Sequence, residues 1–515
     1  MLGGCSGINF MAYARPSRED IDDWEAKFGM EGWTWSDLVP YFCKSEKLEV
    51  EHKNIQDRDA NMCPLQPELH GIRGPIHTSF SPWQSPLEAD LLAAFDETSQ
   101  FSRPIEPSSG SHLGFYRSLF TVDRTGLPIR SYAANGYLSP VLGRPNLKIL
   151  TNAVACKILL DETHMAAKGV EFWCEKGVHL ALANREVILC CGSLQSPRLL
   201  ELSGIGDPEI LQGAGIPCYV PIPEVGKNLQ EKPLSAVVYE LAPGEISVDS
   251  LLQDPALLQE HLKLLTEQHH GALSGPISLM GFLPFCSQVS AEEVEETVSS
   301  ILSGRNNDYQ NIQRDSIAAH LRSPQSADLQ FVGIPANFAV STAYNNSSKL
   351  SPGSPPGHNA CYSIMFSTMY PMSRGSVHVQ SADPLAPPQI DLGFLSHPAD
   401  VDVLAAGAGF IDRVFQSDKV RNRILERVSP SPSVDLQNRD EARQFIREII
   451  VTYHHALGTC SMGQVVDERL RVRGVQRLRV VDASVLPMQI SAAIMATVYA
   501  IAEKASDMIK KDNAT

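Results

Sequence analysis

Hydrophobic positions change period several times along the chain, and each change marks an expected element. Residues 24–42 read as one amphipathic helical stretch, and a second helix is expected over 87–95. Residues 146–161, NLKILTNAVACKILLD, instead alternate and then run apolar as strands do; 170–178 and 187–191 add further strands. At Gly192 the pattern switches. Ser193 is expected to cap, Ser196-Pro197 to start a helix, and Leu199, Leu200 and Leu202 to pack inward. Short apolar runs at 279–285, 329–334 and 361–369 sit among polar helices and Pro/Gly-rich loops such as 351–357, which predicts an antiparallel sheet backed by helices. Residues 51–75 are polar and read as a loop. The chain closes with two short apolar strands, the second at 478–481, then Asp482-Ala483 at a strand end and a final helix.

That closing order carries the first chemical expectation. A strand feeding a polar turn and then a helix N-terminus suits an anionic cofactor, because unpaired backbone N–H groups point at the phosphate. Just upstream, YHHALGTC at 453–460 sets a histidine pair before a Gly-Thr-Cys turn. His455 is the candidate base, since imidazole titrates nearest neutral pH; a structural histidine is the alternative reading. At the N-terminus Gly3, Gly4 and Gly7 permit close backbone approach to a flat ligand and Asn9 offers an amide, although a plain glycine-rich loop fits the same residues.

Composition narrows the class. The 515 residues suffice for a large two-domain enzyme, and 43% apolar with 20% charged residues is a globular balance. A net charge of -16 with no Lys/Arg cluster argues against a nucleic-acid partner, and no apolar run reaches membrane-spanning length. Eleven cysteines show no paired framework and no C-x-x-C pattern, so most are expected as buried or semi-buried free thiols. His454, His455 and Cys460 lack a second ligand cluster, so no metal site is expected.

Four stretches share a family resemblance. Residues 453–495 are similar to the C-terminal signature of the glucose-methanol-choline (GMC) flavoprotein oxidoreductases. Residues 1–22 resemble the first signature, with Gly3, Gly4, Ser6, Asn9, Tyr13, Pro16 and Asp22 in place and Cys5 where Gly, Ser or Thr is usual. GSLQSPRLLELSGIG at 192–206 satisfies every constrained position of the second signature, and 370–404 resembles the start of the C-terminal domain. The resemblance implies an α/β fold: a GMC-like FAD-binding domain assembled from separated segments, incomplete at the N-terminus, with an α+β substrate cap built on an antiparallel sheet. It divides the chain into a flavin-contact and lid segment (1–75), a first cap part (76–144), a second FAD-binding part (145–230), the cap and C-terminal domain (231–450) and an active-site and FAD-binding segment (451–515). It also implies FAD contacts at Gly3, Gly4, Asn9, Met11, Ala155, His454, Asp482, Ala483 and Ile494. Of these, Asp482 and Ala483 are expected by the pyrophosphate and Ala155 by the adenine, while His455 is the expected catalytic base.

Three positions depart from the family pattern. The G-x-G-x-x-G fingerprint that grips the FAD pyrophosphate is absent, since Gly204-Ile-Gly206, Gly213-Ala-Gly215 and Gly407-Ala-Gly409 each lack the third glycine. This predicts a chain lacking the family's N-terminal dinucleotide-binding segment, either by starting at an internal methionine or as a shortened protein that binds FAD weakly. Glu231-Lys232 stands where Asp-His is common. Ala493 occupies the position of the second catalytic His or Asn, which leaves His455 alone, assisted by a cap residue, or impaired. The leading expectation is FAD-dependent oxidation of a primary or secondary alcohol, or an aldehyde, in fungal-type specialised metabolism, by a monomer or homodimer that passes electrons to oxygen or another acceptor. A non-redox lyase, isomerase or cyclase and a flavin-free pseudoenzyme are the alternatives.

Overall fold

Strands from distant parts of the chain meet in the sheet anticipated for the substrate side. In the computed structural model, which describes residues 1–49, 64–161, 163–175, 177–275, 277–304, 307–344 and 346–513, strand β1 (Gly114–Arg117) is its first contributor. Next, β2 (Ala153–Asp161), β3 (Ala166–Cys174) and β4 (Gly177–Leu182) form a separate antiparallel sheet, and β5 (Val187–Leu189) leads to the Gly192 turn. The chain returns to the substrate side as β6 (Pro233–Leu241), β7 (Leu279–Leu283), β8 (Leu329–Ile334), β9 (Cys361–Thr368), β10 (Ile424–Ser429) and β11 (Val451–Thr452). Finally β12 (Leu478–Val480) runs parallel to β5. The substrate-side order is β10-β6-β9-β8-β7-β1, antiparallel throughout, with β11 also paired to β6.

Register decides what each face of this sheet holds. Gly114 and Gln330 both pair with Phe282, and Tyr116 and Val332 both pair with Met280. Paired residues share a face and neighbours along a strand alternate, so Tyr116, Met280, Phe282, Gln330 and Val332 lie on one side. Phe115 and Phe331 lie on the other, where their rings meet Phe410 at 5.8 and 5.2 Å. Gly281 pairs with both, and a Cβ there would sit 2.2 Å from the Phe115 ring, so this close packing requires glycine.

Helices cover the aromatic face and the N-terminal layer. The stretch 24–42 forms two helices rather than one: α1 (Arg18–Ala26) and α2 (Trp35–Ser45). Gly29 and Gly32, at φ 71° and 79°, break the run, and Thr34 restarts it by capping Asp37. The expected helix at 87–95 is α3 (Glu88–Ser99), and α4 (Ser196–Leu202) follows the Gly192 turn with Leu199, Leu200 and Leu202 buried. Gln195 holds the cap position of α4; Ser193 turns away and donates instead to the Ala456 carbonyl. Phe410 lies on α5 (Pro398–Gln416), and α6 (Met495–Asp512) closes the chain against α2. No helix among the described residues is long and apolar enough to cross a membrane.

Other boundaries shift for local reasons. The strand expected over 146–161 begins only at Ala153, after Asn152 turns at φ 53°. The single strand expected over 170–178 is a hairpin, with Glu175 at φ 49° between β3 and β4. Of the loop expected at 51–75, residues 51–63 lie outside the described residues. Ten cysteines are described as free thiols; Cys5, Cys190, Cys191 and Cys218 are exposed and the others are buried or half-buried.

Two buried polar networks tie these layers together. Lys232 is fully enclosed, and its ammonium donates to the Ile490 and Ala492 carbonyls at 2.6 and 2.7 Å. Between those carbonyls, Ser491 donates its N–H and hydroxyl to Asp20 of α1 at 2.7 and 2.6 Å. At the base of the polar loop, Glu46 receives Arg15 at 2.9 Å, His70 at 3.0 Å and Thr78 at 2.9 Å, and the far nitrogen of His70 lies 3.3 Å from Glu106.

Both networks yield measurable expectations. Lys232→Met leaves two buried carbonyls without a donor, and urea unfolding should show a loss of roughly 2–4 kcal/mol; unchanged stability would remove Lys232 from this role. For His70, burial favours the neutral ring, but the Glu46 and Glu106 carboxylates outweigh it and raise the pKa from 6.5 to about 9. The folded state therefore holds its proton more tightly than the unfolded chain. That stabilisation is complete below pH 6.5 and disappears as pH rises through 9. The parent protein should lose about 3 kcal/mol across that window from this group, and His70→Gln should flatten the profile.

Candidate active site

His455 reaches its position through contacts on three sides. Its N–H donates to Glu231 at 3.0 Å, its carbonyl accepts from Gln489 at 2.8 Å, and its ring lies 4.2 Å from the ring of Tyr453. Tyr453 in turn donates its hydroxyl to Gln330 at 2.9 Å, which joins the histidine to the sheet face carrying Met280 and Phe282. Neither ring nitrogen of His455 has a hydrogen-bond partner among the described residues, and Nδ1 is sealed from solvent. Burial holds the imidazole well below its usual pKa, and the positive charge of Lys232 adds to the effect. The ring is therefore neutral at neutral pH, with a lone pair that no protein donor occupies.

The neighbouring charges are also strongly displaced. Burial raises Glu231 to about 7 and lowers Lys232 to about 7, each resisting the charged form. Their adjacent positions divide the work: Glu231 holds the main chain of His455, and Lys232 holds the segment that leads to Ala493. Ala493 is buried and contributes only a methyl group. His454 points elsewhere. It sits at φ 62°, exposed, with its N–H donated to Thr452, so a left-handed turn separates the two histidines.

A second group of predicted residues surrounds the start of α6. Asn9 donates its amide to the Met495 sulfur at 3.0 Å, while its side-chain oxygen accepts from Met11 N–H at 3.0 Å and from Arg130 at 2.8 Å. Met11 sits at φ 62° and offers its carbonyl to Thr121. Ile494 occupies the N-cap of α6 and provides no side-chain cap, so the first N–H groups of an 18-residue helix are left for another acceptor. Gly3 and Gly4 adopt φ 88° and 54°. A Cβ at Gly3 would strike the Tyr132 ring at 2.8 Å, whereas nothing lies within 4 Å of one at Gly4.

The third group is the turn after β5. Asp482 accepts from Gly192 N–H at 3.0 Å and the Ser196 hydroxyl at 2.5 Å with one oxygen, and from Ser484 N–H and hydroxyl at 2.9 and 2.6 Å with the other. Its carboxylate is thus occupied in joining the ends of β5 and β12, and Ala483 begins the turn that follows. Around Gly192, at φ 79°, there is open space within 4 Å of a would-be Cβ. Two bonds of 2.7 Å, Ser193 hydroxyl to Ala456 carbonyl and Thr459 hydroxyl to Ser193 carbonyl, attach this turn to the His455 segment. Ala155 stands in β2 opposite Phe172 and joins the group only through α4, which packs on β2.

These features suit a flat, anionic dinucleotide. An uncapped helix N-terminus and a glycine turn with open space offer main-chain N–H groups to phosphates. Sequence reasoning missed Arg130 and Gln330, which belong to no short motif, and gave no role to Tyr453, the first residue of YHHALGTC. His112 is 2% exposed, and its ring meets Phe282 edge-on at 4.3 Å.

Comparison with known proteins agrees with this geometry. The family pattern described as GMC oxidoreductase matches residues 1–234 with its N-terminal part and residues 371–502 with its C-terminal part. The expectation of a missing N-terminal family segment is not borne out by that match, which runs from residue 1. Dehydrogenase citC of Monascus ruber is 58% identical over 524 residues, covering 99% of this chain and 83% of that protein. An FAD-dependent oxidoreductase from Chaetomium thermophilum superposes with a TM-score of 0.88 at 26% identity, covering 100% of this chain and 86% of that one. A fungal aryl-alcohol oxidase shares the fold with a TM-score of 0.85 at 24% identity, covering 100% and 86%. With both halves of the family pattern matched and a relative this similar along nearly its whole length, the chain belongs to the GMC oxidoreductase family, and FAD is its cofactor.

Proposed function

We propose that the protein oxidises a primary or secondary alcohol, or an aldehyde, in fungal specialised metabolism, with His455 as the base that takes the hydroxyl proton. The observation that carries this reading is the His455 imidazole: half-buried with Nδ1 sealed from solvent, neutral, and free of any hydrogen bond to the described residues, on a wall shared with the cap sheet. FAD supplies the hydride acceptor. The chain's own residues bind and orient the alcohol, exclude water, and hold the proton at the imidazole.

The remaining assignments follow from position. Gly3, Gly4, Asn9, Met11 and Ile494 would hold the cofactor at the start of α6, and His454 would border it from the exposed side. Asp482 and Ala483 would meet the pyrophosphate through their main chain, since the Asp482 carboxylate is already taken by four protein donors. Ala155 would lie toward the adenine. The cap face of Met280, Phe282, Gln330 and Val332 would select the substrate. Fungal dehydrogenases among the relatives, such as pkfF of Emericella nidulans at 29% identity over 99% of this chain, support the metabolic setting.

Anaerobic mixing with a panel of aliphatic and benzylic alcohols tests the redox reading: substrate-dependent flavin bleaching supports it, and turnover without bleaching would favour the non-redox alternative. His455→Ala should reduce kcat/KM by roughly a hundredfold or more with flavin content unchanged. The pH profile supplies a further check. A base is active only when unprotonated, and burial depresses the His455 pKa. Activity should therefore persist as pH falls through 6.5 and decline only at lower pH, and an acid limb centred on 6.5 would contradict this assignment.

A further inference from the structure

Outside the His455 segment, three separate pieces of chain bring one imidazole and two carboxylates together. Glu49 follows the strand Glu46–Leu48, His77 lies on the strand Ile76–Phe80, and Asp123 ends the strand Val122–Asp123. Nδ1 of His77 is 2.9 Å from Glu49 Oε1 and 3.4 Å from Asp123 Oδ1, and the three donor atoms fall within 4.8 Å of one another. Glu49 is buried and the other two are half-buried.

The bonds around this cluster orient it without balancing its charge. The Arg124 main-chain N–H donates to both Glu49 oxygens at 3.0 and 3.1 Å, and Thr125 donates its N–H and hydroxyl to Asp123 at 2.9 and 2.6 Å. The Ser131 hydroxyl accepts the His77 N–H at 2.9 Å. The Arg124 guanidinium is engaged with the Ser79 hydroxyl and the Ser274 carbonyl and acts on Glu49 only through its field. No Lys or Arg side chain of the described residues forms an ion pair with either carboxylate. One N–H at Nδ1 can serve only one of the two oxygens that face it.

A metal ion satisfies all three donors at once. For an ion about 2.1 Å from each donor, separations of 2.9 and 3.4 Å subtend about 90° and 110°, which are octahedral and tetrahedral angles. One imidazole nitrogen with two carboxylates suits Mn2+ or Zn2+, water filling the remaining positions. The comparable group of Glu240, His358 and Glu426 is less suited. Glu240 already receives His358 together with the N–H and side-chain amide of Asn359, and Glu426 is exposed.

The geometry points to a divalent-metal site at Glu49, His77 and Asp123 for an ion of the Mn2+ and Zn2+ class. His77 binds through Nδ1, its ring proton residing on Nε2, and each carboxylate contributes one oxygen. Val122 pairs with Arg130, whose guanidinium holds Asn9, so the ion fastens the strand at 76–80 to the hairpin behind the Asn9 turn.

The test uses the full chain carrying its flavin, stripped with EDTA and titrated with Mn2+ while electron paramagnetic resonance reads the free ion. Mn2+ favours oxygen and imidazole donors over the exposed thiols. One ion per chain is expected. Asp123→Asn and His77→Phe should each weaken it by roughly tenfold or more, the scale of losing even an outer-shell partner, while Glu426→Gln leaves binding unchanged. A second readout does not depend on those variants folding well: in the parent chain with isotope-labelled histidine, bound Mn2+ should broaden the His77 ring resonance ahead of every other histidine. Absence of stoichiometric binding, binding that survives both substitutions, or broadening of His358 in place of His77 overturns the inference.

Discussion

The site depends on an ammonium group placed where water cannot reach it. Lys232 is surrounded by protein, and two main-chain carbonyls replace its hydration shell. That exchange is favourable only if the carbonyls stay where they are, so the lysine and the segment at 490–492 fix each other. Asp20 completes the arrangement from the N-terminal layer by holding Ser491 between the two carbonyls. A short segment with little regular secondary structure thereby becomes as well located as a central strand, and α6 starts from it.

Polarity around the base follows from the same enclosure. Burial, with the Lys232 charge adding to it, keeps the His455 ring neutral, which suits it to accept a proton. Glu231 contributes through its bond to the His455 main chain and not through the ring. The Glu231-Lys232 departure thus has a physical account: one residue holds the His455 main chain and the other the segment at 490–492.

What the sequence revealed was mainly local. The Gly192 turn and the burial of Leu199, Leu200 and Leu202 could be read because a strand-turn-helix announces itself within fifteen residues. The three cap strands near 280, 330 and 365 were visible as apolar runs, but their order was not, since β1 and β10 join the sheet from more than a hundred residues away on one side and about sixty on the other. Glycine pairs hid the break between α1 and α2 inside a pattern that looked continuous. Ser193 was misplaced because capping propensity cannot register a competing carbonyl 263 residues distant.

The paired bonds between Ser193 and the 456–459 segment carry a consequence for how such a protein diversifies. They fasten the glycine turn to the loop segment bearing His455 without passing through the cap sheet. The sheet, by contrast, meets the His455 segment through the pairing of β6 with β11 and through the bond from Tyr453 to Gln330. The side chains of Met280, Phe282 and Val332 take no part in the Ser193 bonds, so on the alcohol-oxidation reading they could change to admit a new molecule while the half bearing His455 keeps its spacing. Inheritance of the chemistry is separated from inheritance of the substrate, which is the arrangement a lineage needs to explore new metabolites one cap substitution at a time.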